Sequence, residues 1–129
     1  MMMKAPLLLA GAVFVLGLGL AGCKKRGIDG HYVGKLVDGK LTYDITVDML
    51  PAPYEATVWY GQPFGCKSKW TLTGHDQATE TWSFREDIKE QGPKACATGG
   101  TVSLTQIGVG GGLFYSQGAA HGSISLSKR

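Results

Sequence analysis

The chain has little of what marks most enzymes and nucleic-acid-binding proteins. It contains no GxSxG elbow, and no Ser, His and acid set stands out as a nucleophile with its base. Its three histidines, His31, His75 and His121, are scattered, each beside a glycine or a turn and without an i, i+2 or i+4 partner. A zinc site needs three or four close ligands, so these read as solvated turn histidines and no metal is expected. Gly110-Gly111-Gly112 lacks the helix and the Lys that a phosphate loop requires, and reads as a turn. Asp44, Asp48, Glu55, Glu80 and Glu86 hold enough carboxylates for the pair that glycosidases use, but they read as an outward polar face. The expectation is a protein with no catalytic residues and no cofactor. Lys and Arg number 13 against 10 Asp and Glu, a formal charge of +3, which is no footprint for nucleic acid. Hydrophobic residues fall in short alternating runs, and the long 3.6-residue stripe of a helical domain is missing.

One long apolar run is present, and it lies at the start. Residues 1–4 are a short basic beginning and residues 5–21 are uncharged, built from Leu, Val, Ala, Gly and Phe with the single Pro6. That length is at the low end for a membrane span, and no stop-transfer flank follows, so residues 1–22 read as a signal peptide. The run ends in Leu20-Ala21-Gly22-Cys23, which resembles the lipobox of bacterial lipoproteins. The resemblance implies diacylglycerol on the Cys23 thiol, cleavage before Cys23 and acylation of the new amine. Two or three acyl chains on one residue make attachment lasting where a single chain is marginal. Membrane contact through Cys23, without a span, is therefore expected, in the cell membrane or outer membrane and facing the periplasm or exterior. Lys24 stands where lipoproteins held at the inner membrane often carry Asp, which favours the outer membrane. Residues 23–29 form a tether whose Lys24, Lys25 and Arg26 can meet anionic headgroups at about 1 kcal/mol each.

Export leaves Cys66 and Cys96 in an oxidising compartment with only one way to pair. A bridge between them closes a loop of about 30 residues, worth roughly 3 to 4 kcal/mol in the chain-entropy account. Around Cys66, residues 55–74 read as a hairpin in which Ala56, Val58 and Tyr60 share one strand face, and Trp70 and Leu72 share another. Gly61, Pro63 and Gly65 supply the turn. Asp38-Gly39 predicts a tight hairpin between strands over residues 30–37 and 41–49, and Pro51 and Pro53 stop the second. Gly74-His75-Asp76 reads as a turn, residues 77–86 as a strand with Trp82 and Phe84 inward, and residues 86–95 as a loop or broken strand. Strands over 101–107, 113–116 and 122–127 complete about eight. Residues 30–129 are thus expected to be one all-β domain with one disulfide, either a small antiparallel up-and-down barrel or a two-sheet sandwich.

The series Gly30-His31-Tyr32-Val33-Gly34, Ala56-Thr57-Val58, Phe64-Gly65-Cys66, Trp70-Thr71-Leu72-Thr73 and Cys96 with Gly99-Gly100-Thr101-Val102-Ser103-Leu104 resembles a small extracytoplasmic bacterial domain. Its pattern runs GTYxG, GTVxYPSLGCSGxWTL, CxxGGTVTL, and it occurs in lipoproteins and in outer segments of some serine/threonine protein kinases. The resemblance implies fold and disulfide, and brings no catalytic residues. The chain departs from it at residues 61–64, where the family has a Tyr-Pro-Ser-Leu type of turn. Trp59, Tyr60 and Phe64 are the candidate binding face. Alternation requires one of Trp59 and Tyr60 to point away from the interior, and exposed aromatics near a loop tip mark binding surfaces. The function expected is non-catalytic binding or sensing of an envelope ligand: a small molecule, a glycan or a protein. The alternative is a protein inhibitor of lysozyme, since such periplasmic proteins are similar in size, in their disulfide and in barrel form.

Overall fold

The structure is a computed structural model describing residues 27–96, 98–108 and 111–127. The expected signal peptide and Cys23 lie outside the described residues. Eight strands follow in chain order: β1 Gly30–Asp38, β2 Leu41–Met49, β3 Glu55–Tyr60, β4 Lys67–Asp76, β5 Thr81–Glu90, β6 Thr101–Ile107, β7 Gly112–Gln117 and β8 Ala120–Leu126. Each pairs antiparallel with the next, and β8 pairs back onto β1, so the sheet closes into a barrel. Of the two all-β arrangements that the alternation allows, the barrel forms. Closure leaves no strand edge unpaired.

The two-residue period decides what goes inside. In β2, Tyr43, Ile45, Val47 and Met49 are buried while Thr42 and Asp44 stay exposed. In β3, Ala56, Val58 and Tyr60 are buried and Trp59 is outside. The seam between β1 and β8 depends on glycine: a Cβ on Gly34 would sit 2.3 Å from the Ser123 carbonyl oxygen, and one on Gly122 2.2 Å from that of Lys35. Only side chains reduced to hydrogen let these two backbones approach so closely.

Two boundaries differ from the sequence expectation. Gly74, His75 and Asp76 belong to β4, because a register shift between Leu72 and Gly74 absorbs the irregularity inside the strand. The turn comes later, where Asp76 Oδ1 accepts the Ala78 N–H at 2.9 Å. Residues 86–90, the first part of the stretch expected as a loop or broken strand, continue β5. Their polarity is that of a strand with Arg85, Lys89 and Glu90 exposed, and Gly92-Pro93 ends the element only after it.

The barrel has two unlike ends. The β1–β2, β3–β4, β5–β6 and β7–β8 connections lie at one, here the upper end. The other three connections and the start of the described chain lie at the lower end, where Ile28 is buried and its carbonyl accepts the Tyr32 hydroxyl at 2.9 Å. Trp70, Phe84 and Tyr115 stack through the middle, with Trp70 5.7 Å from Phe84 and 5.9 Å from Tyr115 between ring centroids.

Candidate functional site

The upper half of the barrel is not filled. A cavity of about 660 Å³ opens there, within the range of small-molecule sites. Tyr43, Tyr60 and Phe64 form its aromatic wall; Glu86 and Gln117 lie deeper, and Asp38 lies at the rim. Ala95 and Cys96 from the β5–β6 connection close one side.

Glu86 is the anchor. It is only 2% exposed, and it stands on the same face of β5 as Trp82 and Phe84. Its Oε2 accepts three hydrogen bonds, from the Tyr60 hydroxyl at 2.5 Å, the Trp70 indole N–H at 2.7 Å and the Ser68 hydroxyl at 2.8 Å. Its Oε1 accepts from Gln117 Nε2 at 2.9 Å. Gln117 Oε1 in turn accepts from Tyr115, whose oxygen lies 3.1 Å from that of Tyr60. Glu86, Tyr60, Tyr115 and Gln117 therefore form a ring of four polar contacts. Counted with a carboxylate, the ring has three hydrogens for those contacts, one each from Tyr60, Tyr115 and Gln117.

Burial keeps the phenols neutral. Desolvation, then the neighbouring Tyr115 and Glu86, pushes the Tyr60 hydroxyl well above its ordinary value. Burial raises Tyr115 as well, against the opposing pull of its hydrogen bond to Tyr60. Tyr43 is raised by burial and by the charges of Asp38 and Glu86. Among the described residues no Lys or Arg pairs with Glu86. All four of its donors are uncharged.

The β5–β6 connection is fastened over this cavity. Cys66 and Cys96 are bridged, with Cα atoms 6.5 Å apart. Gln91 braces the same turn: its Oε1 accepts the Cys96 N–H at 2.8 Å, and its Nε2 donates to the Cys96 carbonyl at 3.0 Å. Gly92 packs so tightly on the β3–β4 turn that a Cβ there would fall 1.8 Å from the Phe64 carbonyl oxygen. Backbone bonds from Glu86 N–H to Gly100 and from Gly99 N–H to Glu86 tie the end of the connection to the site itself.

Of the candidate binding face, Tyr60 and Phe64 line the cavity and Trp59 does not. Trp59 is 41% exposed on the outer wall, with Lys67 Nζ 5.7 Å from its ring centroid. The histidines are paired or stacked on neighbours: His31 with Asp48, His75 flat on Trp82 at 4.4 Å, and His121 on Phe114. Among the described residues no group of three His, Cys, Asp or Glu could hold a metal ion.

The outward reading is corrected for Glu86. The sequence carried the signal, because Trp82, Phe84 and Glu86 share parity on one strand, as do Leu113, Tyr115 and Gln117 on another. A charged residue in register with two inward aromatics either ends the strand or is buried with donors. Comparison with protein-family models, with curated proteins and with solved structures finds no match to this chain.

Proposed function

We propose that this chain is a lipid-anchored binding barrel of the cell envelope that takes a small ligand into the upper cavity, without catalysing its conversion. The observation that carries this reading is the combination of a 660 Å³ cavity with a buried, hydrogen-bonded Glu86 at its inner end. An eight-stranded barrel is just wide enough to be filled by side chains or to hold one small ligand. Four donors fix Glu86 in place, as suits an acceptor that orients a ligand. The lipobox-like Cys23 and the resemblance to extracytoplasmic lipoprotein domains supply the location, with Lys24 favouring the outer membrane. The described chain begins at Gly27, at the end opposite the cavity. A tether starting at Cys23 would enter at the end away from the cavity mouth, which suits a cavity turned from the membrane.

A thermal-shift screen of small molecules tests the binding reading. Stabilisation that is lost in Phe64→Ala supports it. Stabilisation unaffected by changes in the cavity wall, or capture of lysozyme by the wild-type protein with no response to small molecules, refutes it. Loss of fatty-acid labelling in Cys23→Ser tests the anchor.

A further inference from the structure

Resting on the small-ligand reading, we propose that the cavity selects a protonated organic amine carrying a small apolar body, held between Glu86 Oε1 within, Asp38 at the rim, and the rings of Tyr43, Tyr60 and Phe64. Three observations converge on that chemistry. Among the described residues, the charged side chains lining the cavity are Glu86 and Asp38, both acidic, and the lining includes no Lys, Arg or His. Lys94 is exposed on the β5–β6 connection, with its Nζ 5.9 Å from the Phe64 ring centroid, and does not line the cavity.

Acceptor capacity is the second observation. Three donors crowd Oε2 of Glu86 and one reaches Oε1. The load is unequal, so Oε1, which takes only the Gln117 amide, is the less crowded oxygen and stands beside cavity-lining Gln117. A buried carboxylate without a countercharge is costly, and an ammonium supplies that charge together with a hydrogen directed at Oε1.

The third is the wall. Tyr43 and Phe64 meet edge to face at 4.7 Å, and Tyr43 lies 6.3 Å from Tyr60. Such a cluster offers ring faces to a cation and apolar surface to its substituent. Among the described lining residues an anionic ligand would meet two carboxylates and no basic partner.

The test uses three probes of matched shape: phenethylamine, 2-phenylethanol and phenylacetate. Each is titrated into the ¹⁵N-labelled full chain, expressed with its leader and purified in a non-ionic detergent. The Trp70 indole N–H, hydrogen-bonded to Glu86, is the local reporter. Phenethylamine is expected to shift that resonance and to bind about tenfold more tightly than 2-phenylethanol or better, with phenylacetate weakest. Glu86→Gln should bring amine and alcohol to equal affinity. Asp38→Asn at the half-exposed rim should narrow the preference, and carries the mutational test if Glu86→Gln does not fold. Equal binding of alcohol and amine, tightest binding of phenylacetate, or an amine preference untouched by the folded variants overturns the amine assignment and leaves the small-ligand reading standing. If no probe perturbs any cavity residue, both fall.

Discussion

The lower and upper halves of this barrel obey the same alternation and end in opposite states. Below, the inward positions carry Trp82, Phe84, Val47, Leu104, Leu113 and Ile124, all buried, and Ile28 covers the end. Above, they carry Tyr60, Glu86 and Gln117, with small Gly100 and Ala120 beside them, and a cavity remains. The closed sheet sets one diameter for both halves. Side-chain volume then decides whether the interior is a core or a site. The connections follow the same division, since the long β5–β6 connection crosses the open end and is held there by the disulfide and by Gln91.

Truncation breaks or sharpens this contrast most directly. Phe84 is wholly buried in the packed half, so Phe84→Ala should cost about 3 to 5 kcal/mol in denaturant unfolding. Phe64, half-buried on the cavity wall, already borders empty space, and Phe64→Ala should cost about 1 kcal/mol or less while reducing ligand-induced stabilisation. Equal losses would mean that the upper half is packed like the lower. Next in size, replacing Cys66 and Cys96 together by Ala should lower stability by about 2 to 5 kcal/mol. Hydrogen exchange should then quicken first in residues 91–100, with the amides of β2 and β7 still protected. Uniform loosening of all eight strands would show that the bridge supports the whole barrel and not the cavity cover.

A smaller change reaches the polar ring itself. Glu86→Gln keeps one acceptor oxygen but turns an amide N–H₂ toward donors, whichever way it is placed. The cost should be about 1 to 3 kcal/mol, that of a buried donor left without an acceptor. The same variant should move the Trp70 indole resonance, because that N–H donates to Glu86 Oε2. An unchanged indole shift with unchanged stability would show that the cluster does not order the upper half.

Much of the barrel was legible from the alternation and the cysteine count. Tyr43, Ile45, Val47 and Met49 announce their strand, and two cysteines left by the lipobox reading had one partner each. The upper site was harder to read because its members come from β3, β4, β5 and β7, and each alone has an ordinary reading. Glu86 belonged to a polar stretch, Ser68 stood between lysines, and Gln117 came just before a glycine turn. Their meeting depends on the closure of β8 onto β1, a long-range pairing that no local pattern encodes. Gly34 and Gly122, which make that closure sterically feasible, read locally only as punctuation. Trp59 and Tyr60 needed the register of β3 to be told apart.

The least disruptive comparison of the two halves is made with pH. Tyr60 and Tyr115 sit in the polar ring with hydroxyl pKa values raised by burial, and Tyr60 is raised further by its contacts with Tyr115 and Glu86. A phenol whose folded-state pKa lies above its unfolded value, near 10, favours folding as long as both forms are protonated. That contribution is complete below about pH 10 and is lost as pH rises from there toward the folded value, because the unfolded chain ionises first. Stability attributable to these groups should therefore hold level from neutral pH to about 10 and fall above it. Followed by phenolate absorbance, at least two of the five tyrosines should remain protonated until circular dichroism reports unfolding. Tyr60→Phe should weaken the alkaline fall and leave one fewer late-ionising group. If all five tyrosines ionise near pH 10 while the barrel stays folded, water reaches the ring freely, and the upper half is open down to Glu86.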